Sequence, residues 1–192
     1  LLTFSRKSNV YFRPIDMNNV IEDTVRLFER SVPKSTRMSW MPSKNFVIVN
    51  ADGGQLEQAI LNLFLNAQDA MPNGGVITIS CKMVNLVETI SVVYSDVPPG
   101  NYVQITIVDT GSGIQKDILP KIFEPFFSTK EPSKGTGLGL SVVYGVVKSH
   151  NGYISVESEV GIGTAFTIYL PRIEKFEDVQ SDAKTEKVIG GS

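Results

Sequence analysis

Asn62, Asn66 and Asp69 are the residues most able to hold a metal and its phosphates. Their spacings of four and three put all three on one face of a helix. The same stretch carries Leu63, Phe64, Ala67 and Ala70, which already supply a core side. Amides among such residues cost stability unless they find partners. One reading is a polar, solvated stripe. The chemical reading is that an Asn oxygen is a hard ligand for Mg²⁺, which usually arrives carrying phosphates and waters.

Three glycine-rich turns follow, namely Asp109-Thr110-Gly111-Ser112-Gly113, Gly135-Thr136-Gly137-Leu138-Gly139-Leu140 and Gly161-Ile162-Gly163-Thr164. Alone, each reads as a tight turn needing positive φ. The second differs because it opens a helical pattern, so backbone N–H groups and the positive helix end converge on one spot that suits phosphate. It lacks the Gly-Lys-Ser/Thr of a P-loop and the preceding strand of a dinucleotide fingerprint. Lys130 and Lys134 lie just upstream, where they could reach phosphate oxygens. Asp109 ends an apolar strand pattern, where a carboxylate can accept from an exocyclic amine or simply start a turn.

The elements that position these groups are legible from period and punctuation. Asp52 offers an N-cap to a helix running to Met71, closed by Pro72-Asn73-Gly74-Gly75. A second strong helix spans Leu138 to Ser149 and closes at Asn151-Gly152. A third, capped by Asp16, carries the stripe Val20, Val25, Leu27 and Phe28. Strands are expected at Met38–Met41, Phe46–Val49, Val76–Ser80, Tyr102–Val108, Tyr153–Glu157 and Ala165–Leu170, with a hairpin-like excursion over Asp96–Gly100. Ile118 to Phe123 reads as a short helix, and Ser128 to Gly135 as a polar, flexible flap.

The 192 residues carry 42% hydrophobic and 20% charged side chains, a globular balance with material for one core. A net charge of −2 makes electrostatic binding to nucleic acid or an anionic membrane a poor expectation. One cysteine, Cys81, permits no intrachain disulfide, and one histidine, His150, leaves a His/Cys metal site without ligands. No window approaches a bilayer-spanning run, and the N-terminus does not read as a signal peptide. The chain starts without Met and in mid-pattern, as a piece of a longer protein would.

The order Asn62-x-x-x-Asn66-x-x-Asp69-Ala70, Asp109-x-Gly111-x-Gly113, Phe123-Glu124-Pro125-Phe126-Phe127 and Gly135-Thr136-Gly137-Leu138-Gly139-Leu140 resembles the N, G1, F and G2 boxes of two-component sensor histidine kinases. Gly161-Ile162-Gly163-Thr164-Ala165-Phe166 is similar to their closing Gly-x-Gly-Thr-x-Phe element. The resemblance covers roughly Asp52 to Pro171. It implies an α/β fold of Bergerat ATP-binding type, a two-layer sandwich whose mixed sheet has helices on one face. It implies ATP and Mg²⁺ as cofactors, with Asn66 the metal ligand and Asn62 the second Asn near the phosphates. Asp109 would read the adenine amine, and Gly113 would let the nucleotide lie close to the backbone. Phe123, Phe126 and Phe127 would anchor the flap, Lys130 would reach the γ-phosphate, and Gly135, Gly137, Leu138 and Gly139 would wrap the phosphates. Asp69, Gly111, Ile114, Thr136, Leu140 and Thr164 complete the implied nucleotide contacts.

One departure separates this sequence from a related group. ATPases of the gyrase, MutL and heat-shock-chaperone kind carry, four residues before the metal Asn, a Glu that activates water. Here that position is Asn62, which takes no proton at neutral pH. ATP is therefore expected to be held without rapid hydrolysis, as a kinase requires. His150 stands at a helix end, suited to capping carbonyls and not to accepting phosphate. The acceptor is expected on a dimerisation domain of the same protein, with residues 1–12 the remnant of its second helix, 13–172 the ATP-binding domain and 173–192 a charged linker. A response regulator receiver domain is the expected further partner, in the cytoplasm. A serine kinase of the same superfamily and a nucleotide-binding signalling module without transfer are the alternatives.

Overall fold

The computed structural model describes residues 10–92, 94–129 and 136–173. Leu1–Ser8, Lys130, Lys134, Gly135 and the charged segment after Ile173 lie outside the described residues.

Strand β1 (Arg13–Asp16) leads directly into helix α1 (Met17–Glu29), where the Asp16 carboxylate caps by accepting from the Asn18 N–H. The buried stripe of α1 is Met17, Ile21, Val25 and Phe28, whereas Leu27, expected inside, is 51% exposed. Leu27 points about 100° around the helix from Phe28, away from the face that meets α2. β2 (Thr36–Met41) follows, then β3 (Ile48–Ala51). The expected strand at Phe46–Val49 is corrected by two residues: β3 begins at Ile48 because its register with β1 pairs Ile48 with Asp16, and Phe46 is left exposed.

Helix α2 (Gly53–Asp69) is capped by the Asp52 carboxylate on the Gln55 N–H and ends with Ala70 as C-cap, slightly before the expected Met71. Its apolar face (Leu56, Ile60, Leu63, Phe64) meets α1 through Phe28 and Phe64, whose rings lie 5.2 Å apart. Truncating either buried ring would cost about 3–5 kcal/mol.

β4 (Gly75–Leu86) runs longer than the sequence pattern suggested. The excursion is a small hairpin of β5 (Ile90–Val92) and β6 (Ser95–Val97), with Pro98-Pro99 just after it. β7 (Gly100–Asp109) leads to the Gly111–Gly113 turn. The expected helix over Ile118–Phe123 is reduced to one 3₁₀ turn at Leu119–Lys121, with Pro120 in the first turn where its missing N–H costs nothing. Helix α3 (Gly139–Ser149), β8 (Tyr153–Glu159) and β9 (Gly163–Pro171) complete the fold.

Five strands form one mixed sheet in the order β2-β4-β7-β9-β8, with β2 parallel to β4 and the other pairs antiparallel. β1 and β3 form a separate antiparallel pair. Alternation decides the layers: Ile77 and Ile79 of β4, Ile105 and Ile107 of β7, and Phe166 and Ile168 of β9 join the helices in one core. The intervening residues are more polar, and Thr106 and Thr167 approach across β7 and β9 at 3.3 Å. This is the two-layer α/β arrangement with helices on one face, and it sets the end of α2, the start of α3 and the end of β7 around one opening.

Candidate functional site

That opening is a cavity of about 680 Å³. Asn62, Asn66 and Asp69 enter it from α2, Asp109 from the end of β7, and Gly113 and Ile114 from the following turn. Phe127, Thr136, Gly137, Gly139 and Leu140 line it from the side of α3, and Thr164 from β9. Gly111 and Leu138 stand just behind the lining: Gly111 packs on Ala70, and Leu138 is the N-cap of α3. Lys130 and Gly135 lie outside the described residues.

The first glycine turn is held from two sides. The Ser112 N–H donates to the Ala70 carbonyl at 3.0 Å, and the Ser112 carbonyl accepts from the Gly161 N–H at 2.8 Å. Gly113 has φ +72°, and a Cβ there would run into the Glu159 carbonyl oxygen. Gly163, at φ +142°, comes equally close to the Asp109 carbonyl oxygen. Glycine is required at both positions because two backbones meet there.

Asp109 is 6% exposed. One of its oxygens accepts from the Gly111 N–H at 2.8 Å. Burial pushes its carboxyl above the usual range, while the N–H groups of Gly111 and Thr164 pull it back. An acceptor aimed into a cavity from a dry wall is suited to an amine donor.

The amide nitrogen of Asn66 is enclosed and has no hydrogen-bond partner among the described residues. Such a group costs free energy, and as an N–H donor it can be answered by an acceptor and not by a cation; the oxygen of the same amide is the atom able to meet a metal. Asn62 is engaged: its nitrogen donates to the Gly139 carbonyl at 3.3 Å and its oxygen accepts from Gln58 at 3.1 Å. Among the described residues no three His, Cys, Asp or Glu cluster as a metal cage, so a cation here would need ligands brought by its partner.

Helix α3 starts without a side-chain cap. Among the described residues its first N–H groups have no side-chain partner, and Gly139 and Leu140 line the cavity, a position suited to an anion. Phe126, 76% exposed at φ 65°, donates its N–H to the Gly137 carbonyl at 3.0 Å, which joins the two flanks of the intervening segment. Phe123 is the buried anchor, 4.5 Å from the Tyr94 ring and 6.3 Å from Phe166. Of the three phenylalanines expected to anchor the flap, one is core, one lines the cavity and one is outside.

Gln115, Ile118, Ile122 and Phe166 also line the cavity and were not read from the sequence as site residues. Their signal was weak: Ile118 and Ile122 are apolar at helical spacing, which reads as core. His150 caps, as expected. Its Nδ1–H donates to the Val146 carbonyl at 2.7 Å, and Nε2 accepts from the Asp52 N–H at 3.1 Å.

Residues 51–174 match the family described as histidine kinase-, DNA gyrase B-, and HSP90-like ATPase. The chain belongs to this family. Within it the relatives are of the histidine kinase kind. The chain is 44% identical over 191 residues to the sensor kinase CckA of Brucella abortus, an alignment covering 98% of this chain and 20% of that protein. It is 32% identical over 172 residues to the sensor histidine kinase ZraS of Escherichia coli K12, covering 89% and 33%. The solved structure of the mycobacterial sensor histidine kinase MprB superposes with a TM-score of 0.66 at 28% identity, covering 84% of this chain and 97% of that one. This histidine-kinase-type ATPase domain thus spans a fifth to a third of the length of those curated relatives. Among the described residues no helix is long and apolar enough to cross a membrane.

Proposed function

We propose that this domain binds Mg·ATP in the cavity and passes the γ-phosphoryl group to a histidine on a dimerisation domain of the same protein. The observation that carries the reading is the meeting of Asn66, Asp109 and the start of α3 on one cavity. A bare helix N-terminus favours phosphate, and the buried Asp109 carboxylate favours the adenine amine. Asn66 is the residue that would ligate magnesium, which when bound supplies charge neutralisation on the phosphates.

The chain's own residues do the positioning. Asp109, Ile114 and Thr164 hold the base, and Thr136, Gly137, Leu138, Gly139 and Leu140 cradle the phosphates, with Gly135 and Lys130 contributing from the segment between Phe127 and Thr136. Asn62 offers no base to an attacking water, so the γ-phosphoryl waits for a side-chain acceptor. Residues 13–172 form the ATP-binding domain; residues 10–12, expected as the end of a dimerisation helix, are not helical. A response regulator receiver domain takes the phosphoryl group next, in the cytoplasm.

The test is to add the chain to a separately prepared dimerisation domain with γ-labelled ATP. Acid-labile, base-stable label on histidine is the expected result. Label on serine, or nucleotide binding without transfer, would contradict the proposal.

A further inference from the structure

Behind Asp109 and Thr164 sits Ser158, near the end of β8, a residue no motif singled out. Its hydroxyl reaches three groups of the site wall. It accepts from the Ile114 N–H at 2.8 Å, lies 3.0 Å from the Gly163 carbonyl oxygen, and lies 2.8 Å from the Thr164 hydroxyl. A carbonyl carries no proton, so the contact with Gly163 is a hydrogen bond only if Ser158 donates. A serine has one proton. In the hydroxyl pair Thr164 must therefore be the donor and Ser158 the acceptor. Both lone-pair sites of Ser158 are then filled, one by Ile114 and one by Thr164. The Thr164 proton is turned away from the cavity, and its oxygen has only lone pairs left to offer there.

Thr164 is the register partner of Asp109 across β7 and β9, and both line the cavity. Two acceptors thus stand side by side. That pair matches the two protons of an exocyclic 6-amino group, taken directly or through a water. It opposes the 6-keto oxygen of hypoxanthine or guanine. We propose that Ser158 is a positioning residue for purine selection: by taking the Thr164 proton and the Ile114 N–H, it makes the wall an acceptor pair and holds the base-side turn. The inference rests on the base lying against Asp109, as proposed above.

The test compares ATP with inosine triphosphate, whose 6-keto group replaces the amine, by calorimetry on the 192-residue chain. The intact chain should favour ATP by about tenfold or more, the worth of one hydrogen bond to a charged carboxylate. If the intact chain binds no ATP, the functional reading fails before Ser158 is examined. In Ser158→Ala the freed Thr164 hydroxyl can rotate and donate to the keto oxygen. The preference should shrink about threefold or more, while Ser158→Thr, which keeps a hydroxyl, restores it. Thr164→Val removes the acceptor while keeping the shape and should narrow the preference as well, so the idea stays testable even if Ser158→Ala does not fold. An equal loss for both nucleotides, with the ratio unchanged in Ser158→Ala or in Thr164→Val, would overturn the proposal and leave Ser158 a merely structural group.

Discussion

The Asn62 carboxamide donates to the Gly139 carbonyl at 3.3 Å and so ties the middle of α2 to the first residue of α3. These helices are two walls of the cavity. Where the gyrase-type ATPases carry Glu, this chain places a strut between α2 and α3. A carboxylate there would face a carbonyl oxygen and could not donate.

Asn62→Ala should cut this tie. The expected loss is about 1 kcal/mol of stability, with ATP affinity lowered about five- to tenfold because α3 is no longer held in register. Denaturant unfolding and calorimetry read the two effects, and unchanged affinity would contradict the strut. Asn62→Glu adds a proton acceptor, so phosphate release from ATP should rise severalfold over the intact chain. No rise at all would remove the main support for a missing base.

Asp109 gives a pH dependence with a definite sign. Its folded-state carboxyl titrates above the ordinary value of 3.8 because it is buried. The folded protein therefore binds its proton more readily than the unfolded chain does. The group's stabilising contribution is present below the unfolded value and is lost as pH rises through the raised one. At neutral pH Asp109→Asn should leave the unliganded domain as stable or more so, since the side-chain oxygen can still accept from Gly111. ATP binding needs the acceptor, so the same substitution should weaken ATP and narrow its advantage over GTP. Thermal unfolding and competition binding check both. Retained ATP selectivity would contradict the adenine role.

His150 joins the C-terminal end of α3 to the cap of α2 and needs the neutral Nδ1–H form to do so. His150→Leu should leave the Asp52 N–H without its partner and cost about 2 kcal/mol by denaturant unfolding. Transfer of label to a separate dimerisation domain should survive below the new unfolding midpoint. Loss of transfer with the fold intact would mean that His150 handles phosphate after all.

Cys81 lies in the core of β4, and burial pushes its thiol up to about 12, helped by the charge of Asp16. Alkylation at neutral pH should therefore proceed only as fast as the domain opens. Rapid modification of the native protein would contradict the packing of the central sheet.

The helices and the mixed sheet were legible because caps and periods are local. Asp52, Asn151-Gly152 and the run Leu56 to Phe64 announce α2 and α3 without reference to anything distant. What stayed hidden depends on partners far along the chain. Nothing near Phe46 says that β3 starts two residues later, because pairing with Arg13–Asp16 fixes the register. Nothing near Leu27 says that Ile21 and Met17 will be inside instead. The glycine and Asn motifs marked much of the cavity, yet Ser158 was invisible, since its three partners come from a distant turn and a neighbouring strand.

The most direct measurement is a calorimetric titration of the chain with a non-hydrolysable ATP analogue, with and without magnesium, beside Asn66→Ala. The intact chain should bind with a magnesium-dependent heat and gain thermal protection, and Asn66→Ala should lose the magnesium dependence. No heat and no protection in the intact chain, or an Asn66→Ala titration indistinguishable from it, would contradict a magnesium-bridged triphosphate held between α2 and α3.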